Sequence, residues 1–175
     1  FVEDEAAPLL LLFRGAAAEL SVSAAELPAL RDPVQMRLML AAHAQPLLAQ
    51  IGAHNYAEYA EAGRPLVWLF LNTSCCHNSN RQAKLAAAAA AHHHRGAASF
   101  VWLDGELYSH HAKALGAAAR ALPALAAEAH GAHYVYDGPL EDAGAVAAWA
   151  EAVVEQRLPP TLRSAPPPLT NPGPV

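Results

Sequence analysis

Residues 65–78 read PLVWLFLNTSCCHN: a proline, six apolar residues, and then a short polar stretch holding both cysteines of the chain. The run Pro65 to Leu71 has the length and unbroken apolarity of a strand buried on both faces. Beyond the polar stretch, RQAKLAAAAAAHHHRG (81–96) reads as a long alanine-rich helix ended by Gly96, and ASFVWLDG (98–105) as a second buried strand. A helix between two such strands predicts a parallel βαβ unit, so the fold class is α/β. Two short helices flank it, HNYAEYAEAG (54–63) closed by Gly63 and YSHHAKALG (108–116) stopped by Gly116.

The remainder of this region is LPALAAEA (122–129), AHYVYDG (132–138) and LEDAGAVAAWAEAVVEQRL (140–158). It predicts two strands over Ala124 to Tyr136, joined by a turn too short for anything but an antiparallel hairpin, and a helix ended by Pro159 and Pro160. The same order stands near the start of the chain. PLLLLFR (8–14) and ELSVSA (19–24) read as strands, and DPVQMRLMLAAHAQ (32–45) as a helix capped by Asp32 with Pro33 in its first position. Pro8 and Pro123 are 115 residues apart and Pro46 and Pro160 are 114 apart, a domain length and not a solenoid period. The expectation is the end of one domain (1–45), a complete copy of the same fold (46–163) and a proline-rich linker (164–175, SAPPPLTNPGPV) towards a further domain. A start at Phe1 and that proline-rich end are read as marks of a piece of a longer protein.

Composition narrows the function classes. With only eleven Lys and Arg and a formal net charge of -5, the chain has no basic stripe with which to bind nucleic acid. Its 54% hydrophobic content is inflated by alanine, and no window reaches the ~18 strongly apolar residues a membrane span needs. Neither nucleic acid nor membrane is an expected partner.

The segments AEYAEAGRPLVWLF, HHHRGAASFVWLD, LPALAAEA and VVEQRLPPTLRSAPPP, in this order, resemble the third, b-prime domain of the protein disulfide isomerase family. The resemblance covers roughly Pro46 to Val175, with the first 45 residues resembling the end of the preceding b domain. It implies a thioredoxin-like fold with a central mixed sheet and helices on both faces. It also implies residence in the endoplasmic reticulum lumen, chaperone-like handling of unfolded or partly folded clients, and neighbouring thioredoxin-like domains in the same chain. No cofactor is implied. By the same resemblance Leu122 to Pro123 is the cis peptide bond that faces the active-site position, with Ala7 to Pro8 its counterpart in the incomplete copy.

Catalytic domains of that family carry Cys-Gly-His-Cys at the start of the long helix, and here no Cys-x-x-Cys occurs. Cys75 falls near the attacking position and Asn78 replaces the resolving cysteine. A thiol at a helix N-terminus has its thiolate stabilised by the dipole and free N–H groups, so Cys75 is a candidate for forming mixed disulfides, without a partner three residues on to release them. Cys76 is its neighbour, and a ring between adjacent cysteines is rare. Two ordinary thiols at a loop-to-helix junction is the plain alternative. Metal binding finds no ligand set: His92, His93 and His94 point about 100° apart on a helix, and the plain reading of His110 and His111 is as surface residues.

Two functions follow. One is a non-catalytic binding and scaffold module that holds clients in an exposed apolar pocket while neighbouring domains exchange disulfides. The other is a thiol-dependent redox site at Cys75. Candidate pocket residues are Trp68, Phe70, Leu85, Phe100 and Trp102, on the buried strands and the long helix, with Leu122 and Pro123 at the substrate-facing bond. Both faces of the strands being apolar, alternation does not assign these side chains to one side.

Overall fold

The computed structural model describes residues 10–14, 17–22, 32–37 and 45–163. The chain forms two compact units divided after Pro46. In the first unit, β1 (Leu10–Arg14) and β2 (Ala17–Val22) pair antiparallel, with an irregularity between Leu12 and Phe13. Residues 33–37 are helical, and Asp32 caps them as expected: its Oδ1 accepts from Val34 N at 2.9 Å. Ala7–Pro8 and the tail 164–175 lie outside the described residues.

The second unit is a six-stranded mixed sheet of β3 (Leu48–Gln50), β4 (Leu66–Leu71), β5 (Ser99–Asp104), β6 (Ala124–Ala129), β7 (Ala132–Val135) and β8 (Leu162–Arg163), in the order β3-β5-β4-β6-β7-β8. At its centre, β4 pairs parallel with β5 and antiparallel with β6. The hairpin β6/β7 turns through His130 and Gly131, both at positive φ, as a tight two-residue hairpin requires. Two strands went unread in the sequence: β3, parallel to β5, and β8, antiparallel to β7. With three and two residues they carry no periodicity, and their neighbours alone define them.

Every residue of β4 is buried, and successive side chains go to opposite faces. Val67, Leu69 and Leu71, with Phe100 and Leu125, meet the two long helices, α2 (His77–His93) and α4 (Ala143–Val154). From α2 come Ala83, Ala86, Ala87, Ala90 and Ala91, an i, i+3, i+4, i+7, i+8 stripe of small side chains that lets the helix lie close to the sheet. From α4 come Val146, Ala150 and Val153. Leu66, Trp68 and Phe70, with Val101 and Leu103, face the other way, towards two six-residue helices, α1 (Tyr56–Glu61) and α3 (Ser109–Ala114). The long helix begins four residues ahead of the expected Arg81. Asn80, from its first turn, binds the preceding loop through Nδ2 to the carbonyls of Asn72 (2.6 Å) and Cys75 (3.0 Å).

Candidate functional site

The short helices leave part of their face of the sheet uncovered. Between them opens a cavity of about 480 Å³ whose wall includes Ile51, Tyr56, Trp68, Leu103, Tyr108 and His111. The volume is in the range of small-molecule and side-chain sites. Its floor is set by register: Trp68 and Leu103 point to the same side from β4 and β5. Ile51 N donates to Trp102 O at 3.0 Å, continuing the β3/β5 ladder. The loop behind Ile51 is fixed by Asn55, whose Oδ1 accepts from Gly52 N (2.8 Å) and whose Nδ2 donates to Gln50 O (2.9 Å). Tyr56 and Tyr108, both in the wall, leave large side chains open to solvent.

His111 is half-buried on α3, not a surface residue as expected. Its ring stands edge-on to Trp68 with centroids 4.3 Å apart and lies 6.1 Å from Phe70. Burial pushes its pKa below the ordinary 6.5; Glu128 opposes this, and His110 and His133 add to it. Neither His111 Nε2 nor Trp68 Nε1 has a hydrogen-bond partner, although both atoms are buried.

Of the residues expected from the sequence to line a pocket, Trp68 alone is in the wall of this cavity. Phe70 shares its face but is 0% exposed and part of the core. Phe100 and Trp102 project to the long-helix face, where Lys84 Nζ sits 3.4 Å from the centroid of the Trp102 ring. Leu85 is on the outer surface of α2, 64% exposed. Leu122 packs beside the Phe70 cluster, and Leu122–Pro123 is a cis peptide bond immediately ahead of β6. An open apolar surface was expected by the long helix; the cavity under α1 and α3 is on the other side of the sheet. Ile51, Tyr56, Tyr108 and His111 were missed as pocket residues, and the available signal was the aromatic and histidine cluster within the two short helical segments.

Cys75 and Cys76 are bonded to each other, both exposed, at the entry to α2. Neither sulfur is a free thiol, which departs from the reading as two ordinary thiols. Around them Asn72 Nδ2 donates to Glu106 Oε1 (2.7 Å), Ser74 Oγ donates to Asn72 Oδ1 (2.7 Å), and Thr73 Oγ1 donates to Asp104. That last bond, with the backbone N–H of Leu107, holds the Asp104 carboxyl below its usual range. His94 Nε2 is 2.9 Å from Ala147 O, tying α2 to α4. Among the described residues no group of three or more His, Cys, Asp or Glu could hold a metal ion, and no helix is long and apolar enough to cross a membrane.

The chain is similar to protein disulfide-isomerase of Aspergillus niger, 29% identical over 133 residues that make up 74% of this chain and 25% of that protein. The corresponding figures for the Humicola insolens protein disulfide-isomerase are 27% over 135 residues, 75% and 26%. The chain therefore spans about a quarter of the length of these relatives. Among solved structures, human ERp44 form II superposes with a TM-score of 0.55 at 19% identity, over 79% of this chain and 38% of that one. The bb fragment of ERp72 gives 0.54 at 16%, over 73% and 57%. Both show the expected fold, a mixed sheet with helices on both faces. Residues 10–151 match the family described as a thioredoxin-like domain, and over that extent the chain belongs to the thioredoxin-like domain family, with protein disulfide-isomerases among its relatives.

Proposed function

We propose that this chain is a non-catalytic, client-holding region of a protein disulfide isomerase-like protein of the endoplasmic reticulum lumen. In this reading residues 46–163 are a b-prime-like domain, residues 1–45 the end of a b-like domain, and residues 164–175 a linker. Neighbouring thioredoxin-like domains carry out disulfide exchange. The observation that carries it is the apolar cavity over Trp68, open to solvent and edged by exposed Tyr56 and Tyr108. An apolar concavity left uncovered fits an occupant of varied sequence. The position three after Cys75 is Asn78, which supports a holding and not an exchanging role.

Titration of a fluorescent, capped, unfolded apolar peptide tests this. Saturable binding competed by unrelated unfolded peptides is expected, weakened roughly tenfold by Tyr56→Ser with Tyr108→Ser, exposed changes that leave the core intact. Negligible binding would refute it. A second reading rests on the exposure of the Cys75–Cys76 bond at the entry to α2: an external thiol reduces that bond, itself becoming disulfide, and frees Cys75 as a thiol-dependent site. Refolding of a scrambled disulfide protein separates the two. Little turnover is expected, whereas turnover lost on Cys75→Ser but not on Cys76→Ser would establish the second reading.

A further inference from the structure

The cavity wall contains a contradiction of ordinary packing. Trp68 is 2% exposed and its indole N–H is a donor with no acceptor; the His111 ring stands edge-on to it, and its Nε2 is also buried and unpaired. An unsatisfied buried polar atom disfavours the arrangement that buries it, and here one movement relieves two at once. If the His111 ring turns out from Trp68, its own nitrogen reaches water and the indole edge opens to the cavity. His111 is on a six-residue helix that meets solvent, so the turn requires no rearrangement of the sheet.

We propose that His111 is a plug over Trp68, and that the occupant of the cavity displaces it, setting an apolar group in its place and a hydrogen-bond acceptor, such as a peptide carbonyl, on the Trp68 N–H. This rests on the client-holding reading and adds its chemistry: the site selects a backbone acceptor beside an apolar side chain, a combination every unfolded chain presents. It also makes the site responsive to protons. The charged imidazole cannot stay unpaired in the closed position, where burial favours the neutral form. The groups facing it are Tyr56 of α1, Tyr108 and His110 at the start of α3, Glu128 of β6 and His133 of β7. Of these Glu128 alone favours the charged ring. The closed form therefore has its full stability above about pH 6.5 and loses it as pH falls below that value, the ordinary value of the released ring.

The test is the affinity of the intact chain for a capped, uncharged apolar peptide between pH 7.5 and 5.5. Binding by the natural protein should tighten about threefold to tenfold on acidification. His111→Ala, permanently unplugged, should bind tightly with no pH response over this range, and His111→Phe, plugged by a ring that cannot be protonated, weakly with none. Trp68→Phe should lower peptide affinity by about fivefold to tenfold and leave binding of a neutral hydrocarbon probe unchanged, because only the peptide uses the N–H. Saturable binding with no pH response, or one that persists in His111→Phe, would overturn the plug and leave the client-holding reading standing. No binding by any form would overturn both.

Discussion

The two faces of the central sheet use the same strands and end differently. On one, the seventeen residues of α2 and twelve of α4 cover the sheet with alanine and valine, and His94 bridges the two helices by its contact with Ala147 O. On the other, two six-residue helices must cover Trp68 and Phe70, and they leave a hollow. Small side chains on long helices make a close-packed layer. Large side chains under short helices make a partial one. The apolar content of β4 is alike on its two sides, so the lengths of the covering helices decide on which side a hollow reaches a β4 side chain. The cavity of about 500 Å³ on the long-helix side, along His93, His94, Ala147 and Glu151, is walled by α2, α4 and the residues just after them and not by the sheet.

The largest effects should show that both sides are nevertheless core at β4. Leu69 and Phe70 are adjacent, fully buried and on opposite faces. Leu69→Ala and Phe70→Ala should each cost about 3–5 kcal/mol in denaturant unfolding. A Phe70→Ala loss below about 1 kcal/mol would mean that the hollow extends beneath Phe70 and that its side chain belongs to the pocket. An intermediate effect is expected from adding volume to the close-packed face: Ala90→Leu should destabilise by about 1–3 kcal/mol, read as a lowered midpoint at constant slope. An unchanged midpoint would show that the long helices do not fill their face. The smallest is Leu85→Ala, within about 0.5 kcal/mol of the natural protein and neutral for peptide binding, since this side chain points away from the sheet. Weakened peptide binding by that variant would place a binding surface on the long-helix side and break the contrast.

The legible part of the fold was whatever rests on runs of apolar residues and breakers. PLVWLFL and SFVWLD announce buried strands, the short gap between LPALAAEA and AHYVYDG a hairpin, and Gly63, Gly96 and Gly116 the ends of helices. What escaped depends on partners. Leu48–Gln50 is a strand because β5 lies beside it, and LAQ by itself has no pattern. The site was less legible for a related reason. A strand apolar at every position hides which side is covered, so Trp68 and Trp102 look equivalent in sequence but lie on opposite faces. His111 next to His110 reads as a polar surface pair, and only the turn of α3 onto Trp68 separates them.

Both rims of the six-stranded sheet are narrow. Among the described residues β3 contributes three residues and β8 two, and where β8 stops Thr161 takes over, its N donating to His133 O (2.8 Å) and its Oγ1 accepting from Val135 N (3.1 Å). A long bare rim is a template on which extended polypeptides can stack as extra strands, the first step of fibril growth. Among the described residues each rim offers few consecutive free backbone groups with which such a strand could register. For a module proposed to hold unfolded chains, short rims favour side-chain contacts in the cavity over strand addition, a mode of binding that gives a bound chain no template on which to stack further strands.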